Sequence, residues 1–169
     1  VSANNCGVKD VLLGENPLKL ERDLDSYVMD NILYKVSFPA EFHAQTAAEA
    51  AISLSSEVKG KIHDIKEIKI FTQEPGVRII SKKGPLNNFA DRDHCIEYIV
   101  AWCLLNGNLN SNSYSDSSAS DENIDKLRKL TSTVEDQAYT RSYYDLDERA
   151  IPNKVVVSMI TGEVYEKEV

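Results

Sequence analysis

The sequence predicts an α+β domain: a small, largely antiparallel sheet with helices packed on one face. Three observations lead there. The run "DIKEIKIFTQ" (64–73) alternates Ile with Lys and Glu, the period of a half-buried strand. Two longer runs, 40–58 and 92–106, carry apolar residues at helical spacing. The chain closes on "KVVVSMITGEVYEKEV", two strands around a two-residue turn at Thr161-Gly162, which makes at least one pair antiparallel. At 169 residues and 42% hydrophobic content there is material for one core. We therefore expect residues 1–169 to form a single domain.

The elements follow in order. "DVLLGENP" reads as a short helical turn ended by Gly14 and Pro17. "NILYKVSF" (31–38) alternates Ile32, Tyr34, Val36 and Phe38 and reads as a strand. Pro39 suits a first helical turn, and Glu41 complements the positive end of the helix dipole. The Ala-rich run 40–58 is the strongest helix, with Phe42, Ala47, Ala50, Ala51 and Leu54 marking its apolar face. Pro75-Gly76 breaks the strand 64–73, and "VRIISKK" is a short helix ended by Gly84-Pro85. In 92–106, Ile96, Ile99, Val100, Cys103 and Leu104 share one face, with Asp91 as N-cap and Gly107 as the stop. Asn and Ser dominate 106–123, which reads as an open loop. "ENIDKLRKLTS" is a short amphipathic helix, and "TSTVEDQAY" holds a further strand.

A net charge of -8 disfavours nucleic acid and anionic membrane as partners. No apolar run approaches the length of a membrane span. The three cysteines, Cys6, Cys95 and Cys103, make no paired framework and favour a reducing compartment. No Cys-x-x-Cys or His-x-x-x-His spacing suggests a metal, and there is no Gly-rich phosphate loop and no Gly-x-Ser-x-Gly.

Against that acidic background, "KKGPLNNFADRDHCIEY" (82–98) is the stretch most suited to an anion. A helix starting near Arg92 turns its free N–H groups toward Lys82, Lys83, Asn87 and Asn88, and His94 sits in its first turn. Taken alone, the spacing favours a capped helix whose Asp91 and Asp93 pair with these cations. Lys35 and His43 flank a second strand-to-helix junction, "VSFPAEF"; there too a surface lysine and a packed histidine are the plainer reading. Tyr143-Tyr144 belongs to a core or interface by default.

Two stretches go further. "YKVSFPAEFHAQTAAEAA" and "GPLNNFADRDHCIEYIV" resemble the signature segments of the PrpD-type 2-methylcitrate dehydratases of the MmgE/PrpD superfamily. "SYVMDNILYKVSFPAEFHAQTA", "VRIISKKGPLNN" and the closing "DLDERAIPNKVVVSMITGEVYEKEV" resemble the same subgroup, so the likeness runs from about Val11 to the end. It implies the lid domain of a two-domain enzyme, with a helical domain as the other wall of the cleft. It implies a carbon–oxygen lyase that dehydrates 2-methylcitrate to 2-methyl-cis-aconitate in the methylcitrate cycle of propionate breakdown, without a metal or other cofactor. It further implies a tricarboxylate as ligand, a homodimer, and a bacterial cytoplasmic or mitochondrial matrix setting. On that basis His43 and His94 are the expected proton-transfer or orienting groups. Lys35, Lys82, Lys83, Asn87 and Arg92 are the expected carboxylate contacts. We expect this chain to be one portion of a longer enzyme, inactive alone. The competing expectations are a cis-aconitate decarboxylase-like enzyme of the same superfamily and a free-standing α+β module that binds an acidic metabolite.

Overall fold

The computed structural model describes residues 7, 9–14, 16, 17, 19 and 37–169. The chain divides into two compact units, Val1–Tyr34 and Lys35–Val169. In the first, a single π-helical turn spans Lys9–Leu13, where a helical turn was expected, and Gly14 follows it at φ 56°. The strand expected over 31–38 falls almost wholly outside the described residues, as does Lys35.

The second unit is built on a four-stranded sheet of order β2-β1-β3-β4. Its strands are β1 (Ile65–Thr72), β2 (Thr131–Glu135), β3 (Lys154–Met159) and β4 (Val164–Glu168). β1 pairs with β2 in parallel; β1–β3 and β3–β4 are antiparallel. The α+β expectation with a largely antiparallel sheet therefore holds. In β1 a register shift between Ile65 and Glu67 absorbs one residue, so Ile65 and Ile68 both reach the core although they are three apart. Val155, Val157 and Met159 of β3 face the same way. The closing hairpin has a three-residue loop rather than two. Met159 N–H donates to Glu163 O and Gly162 N–H to Met159 O, with Gly162 at φ 96°.

Glu41 opens a 3-10 turn, Phe42–Ala44, that runs into α1 (Gln45–Val58). The small side chains of Ala47, Ala48, Ala50 and Ala51 are all buried and let α1 lie close against the later helix Ile96–Asn106. Phe42 was expected on this apolar face; it is instead half-exposed, because the 3-10 turn rotates it away. α2 (Glu74–Ile80) begins earlier than expected. Pro75 sits in its first turn, where a missing N–H costs nothing, and Gly76 is needed because a Cβ there would collide with the Thr72 hydroxyl.

The helix expected over 92–106 is two helices, α3 (Phe89–Asp93) and α4 (Ile96–Asn106), broken at His94-Cys95. Asn88, not Asp91, caps α3 by accepting from the Asp91 N–H. A continuous helix would have placed Arg92 on the same stripe as Ile96 and Ile99, inside the apolar core. The break re-aims it toward polar partners. Gly107 stops α4 at φ 69°, as expected.

Residues 106–123 are not an open loop. Asn110 and Ser113 form a capping box on a 3-10 turn, Ser111–Tyr114, and Ser115 caps α5 (Asp116–Ala119). Tyr114 anchors the segment, fully buried beside Phe89 and Tyr98. α6 (Glu122–Leu130) leads into β2, and α7 (Gln137–Tyr144) follows it. Among the described residues no helix is long and apolar enough to cross a membrane.

Candidate functional site

Two polar constructions stand out, one on each side of α2. The first is built around His43. Its ring is buried, with Nδ1 2.9 Å from Glu41 Oε1 and Nε2 3.2 Å from the Tyr143 hydroxyl. The backbone fixes it too: His43 N–H donates to Glu41 Oε2 at 2.7 Å, and Asn153 Nδ2 donates to His43 O at 2.9 Å. Edge contact with Phe42 and a tilted contact with Tyr143 complete the cage. A carboxylate can only accept, so the neutral ring carries its proton on Nδ1 and turns the Nε2 lone pair toward Tyr143. The tautomer and the ring plane are thus both set. Tyr143 is half-buried and completes the chain Glu41–His43–Tyr143. The next residue, Tyr144, reaches Glu74 at the start of α2.

The second construction follows the end of α2. Lys82 and Lys83 sit on a loop held by Glu97 of α4, whose side chain is 1% exposed. Glu97 accepts from Ser81 Oγ (2.6 Å), Thr133 Oγ1 (2.8 Å) and Lys82 N–H (3.1 Å), and Lys83 Nζ is 3.5 Å away. Burial works to raise the Glu97 pKa, but the hydrogen bonds from Ser81, Thr133 and Lys82 outweigh it and hold the carboxyl below its ordinary value. Beside this loop lies a cavity of about 420 Å³ lined by Lys82, Lys83, Arg92, Arg128 and Lys129, with Asp125 as its one carboxylate. Tyr98 and Pro85 supply apolar wall. The Tyr98 hydroxyl donates to Ser113 O at 2.6 Å, and burial pushes its pKa up to about 12, so it stays protonated.

The structure thus brings Lys82, Lys83 and Arg92 together, as expected, but by a different route. α3 is five residues long and Arg92 lies near its end, so Arg92 does not stand at the start of a helix as expected. Arg92 is instead buried, with Nη1 2.7 Å from both Tyr114 O and Asp116 Oδ1. Asn87 is exposed, and its backbone N–H donates to Asp91 Oδ2. His94 is half-exposed, 3.2 Å from Asp93 Oδ2. Neither Asn87 nor His94 lines the cavity, and neither contacts His43. Arg128, Lys129 and Glu97 were not singled out in the sequence, and Tyr143 was read as a core or interface residue rather than as part of a site. Arg128 and Lys129 looked like the solvated face of an amphipathic helix; only the fold shows what they face. Burial raises the Cys95 and Cys103 pKa values, so neither thiol is an activated nucleophile. Among the described residues no group of three or more His, Cys, Asp or Glu is placed to hold a metal ion.

Residues 38–169 match the MmgE/PrpD C-terminal domain. The chain belongs to the MmgE/PrpD family. It is 48% identical over 99% of its length to the mitochondrial 2-methylcitrate dehydratase of Yarrowia lipolytica, covering 33% of that protein. It is 46% identical to the 2-methylcitrate dehydratase of Escherichia coli strain K12 over 96% of the chain and 34% of the relative. The same identity holds to that of Cupriavidus necator over 99% and 35%. The chain therefore spans about a third of the length of the curated relatives it matches. Both constructions lie within the part that matches the family.

Proposed function

We propose that this chain is the lid portion of a 2-methylcitrate dehydratase, whose helical domain supplies the other wall of the active site. The likeness to enzymes of that name supports the substrate; the observation that carries the chemistry is the buried Glu41–His43–Tyr143 relay. Dehydration breaks a C–H bond next to a carboxylate and a C–O bond. It forms a C=C bond and releases water, so one group must take a proton and another must give one to the leaving hydroxide. In this reading His43 takes up the proton from carbon and Glu41 stabilises the imidazolium that results, while a second acid, His94 or a group of the helical domain, protonates the leaving hydroxide. Tyr143 passes the proton between the buried ring and the bound substrate. Cations are needed to hold the carboxylates and to stabilise the enolate-like charge that develops as the C–H bond breaks. Lys35, Lys82, Lys83, Asn87 and Arg92 are assigned that task. The reaction as proposed needs only side-chain acids, bases and cations. The enzyme works as a homodimer in a bacterial cytoplasm or a mitochondrial matrix. The test is an ultraviolet assay for the conjugated acid product, run on the full-length enzyme with 2-methylcitrate. Steady product formation is expected; no product with active-site-competent enzyme would remove the reading.

A further inference from the structure

The cavity beside α6 runs against the charge of the chain. The protein carries a net -8, yet five cations and a single carboxylate line this one space. Several of the cations are incompletely satisfied. Arg128 donates from Nη1 to Asp125 and from Nη2 to Gly84 O, but its buried Nε has no partner among the described residues. The buried Nε of Arg92, itself 6% exposed, has none either. Lys82 Nζ stands 3.7 Å from Asp91, a long contact that a better acceptor would displace. Lys129 makes no ion pair among the described residues, whereas Lys126 on the same helix pairs with Glu122 at 3.6 Å. Asp116, Asp125, Asp91 and Glu97 offset four of these cations, but Lys129 and the two orphan guanidinium N–H groups leave donors that an anion in the cavity would satisfy. The volume, about 420 Å³, is that of a small-molecule site. The forked donors of two guanidiniums beside three ammonium groups suit carboxylates on one compact molecule.

We infer that Arg128 and Lys129 complete, with Lys82, Lys83 and Arg92, a pocket that grips the carboxylates of a small polycarboxylate. That the polycarboxylate is the substrate rests on the proposed function; that the pocket takes an oxyanion rests on the geometry alone. Glu97 is the positioning residue behind it, since its hydrogen bonds set the loop from which Lys82 and Lys83 extend.

Lysine acylation footprinting read by mass spectrometry tests the pocket on the full-length enzyme. Tricarballylate, a tricarboxylate with no hydroxyl to lose, is the probe; inorganic phosphate at equal concentration is the second arm. Tricarballylate is expected to slow modification of Lys129 and Lys83 about fivefold or more, leaving Lys126 within about twofold. Equal modification of Lys129 with and without tricarballylate would overturn the inference. Protection by phosphate as strong as by tricarballylate would overturn its carboxylate part. In the same enzyme Lys129→Gln is expected to raise the KM for 2-methylcitrate about fivefold with kcat little changed, and Lys129→Arg to restore it. An unchanged KM would contradict a role in holding substrate. An enzyme that shows protection but no turnover of 2-methylcitrate would refute the proposed reaction and leave the pocket standing.

Discussion

The His43 relay and the basic pocket solve opposite problems. The relay is compact and tightly bonded: each ring nitrogen of one buried histidine faces one partner, and the backbone on either side is bonded as well. The pocket is open and charged, with cations from three separate segments and only one carboxylate in its wall. A group that moves a proton needs a fixed tautomer and a fixed direction, which burial and few partners provide. A group that holds a carboxylate needs field and reach, which several half-satisfied cations provide. The seven residues of α2, about 10 Å of helix, join the two regions. Tyr144 contacts its first residue and the Lys82–Lys83 loop follows its last. Under the proposed function, turnover falls to one region and binding to the other.

The largest expected effect breaks the relay. His43→Gln keeps the size and some hydrogen bonding of the ring but cannot take up a proton. In the full-length enzyme it should lower kcat about a hundredfold to ten-thousandfold while KM stays within about threefold. Steady-state kinetics checks this, and an equal rise in KM would blur the division. Next is the support of the pocket. Glu97→Ala strips the acceptor from Ser81, Thr133 and the Lys82 N–H, and should cost about 3 kcal/mol, seen as a lower denaturation midpoint.

The Glu97 carboxyl also predicts a pH dependence. Its folded pKa is lowered, so its stabilisation is complete above the ordinary value of 4.5 and drains away as pH falls below it toward the folded value. The isosteric Glu97→Gln should therefore flatten the acid limb of the stability profile, measured as midpoint against pH between about 3 and 6. A smaller effect sharpens the relay. Tyr143→Phe removes one hydroxyl and should lower kcat about tenfold, with the ring packing against His43 preserved. The smallest tests specificity of the first four. Gly107→Ala forces a side chain into a left-handed site, its Cβ 3.0 Å from Ser55 Oγ. It should cost about 1 kcal/mol of stability and change neither kcat nor KM.

Much of the fold was legible because it rests on local patterns. The alternation in 64–73, the alanines of α1 and the stripe Ile96–Leu104 each report one face of one element, and each is found in place. What was not legible depended on distant partners. The break at His94-Cys95 goes with an Arg92 that bonds Tyr114 and Asp116, more than twenty residues away, and nothing near Arg92 in sequence says so. The order in 106–123 comes from Tyr114 finding Phe89 and Tyr98, while Asn110 and Ser115 cap turns rather than loosen them. The site shows the same split. His43 was singled out together with Lys35, and Glu41 only for the helix dipole; yet a carboxylate two residues before His43 can reach both the backbone and the ring, a signal that the local spacing held. Tyr143 lies 100 residues further on, and Arg128 and Lys129 share an ordinary charged helix face.

The division between the regions is tested most directly by a double-mutant cycle on kcat/KM, using His43→Gln and Lys129→Gln in the full-length enzyme. If one region moves the proton and the other holds a carboxylate, the two losses add to within about 0.5 kcal/mol, with the first in kcat and the second in KM. A coupling energy well above that, or a double variant no worse than His43→Gln alone, would contradict the account.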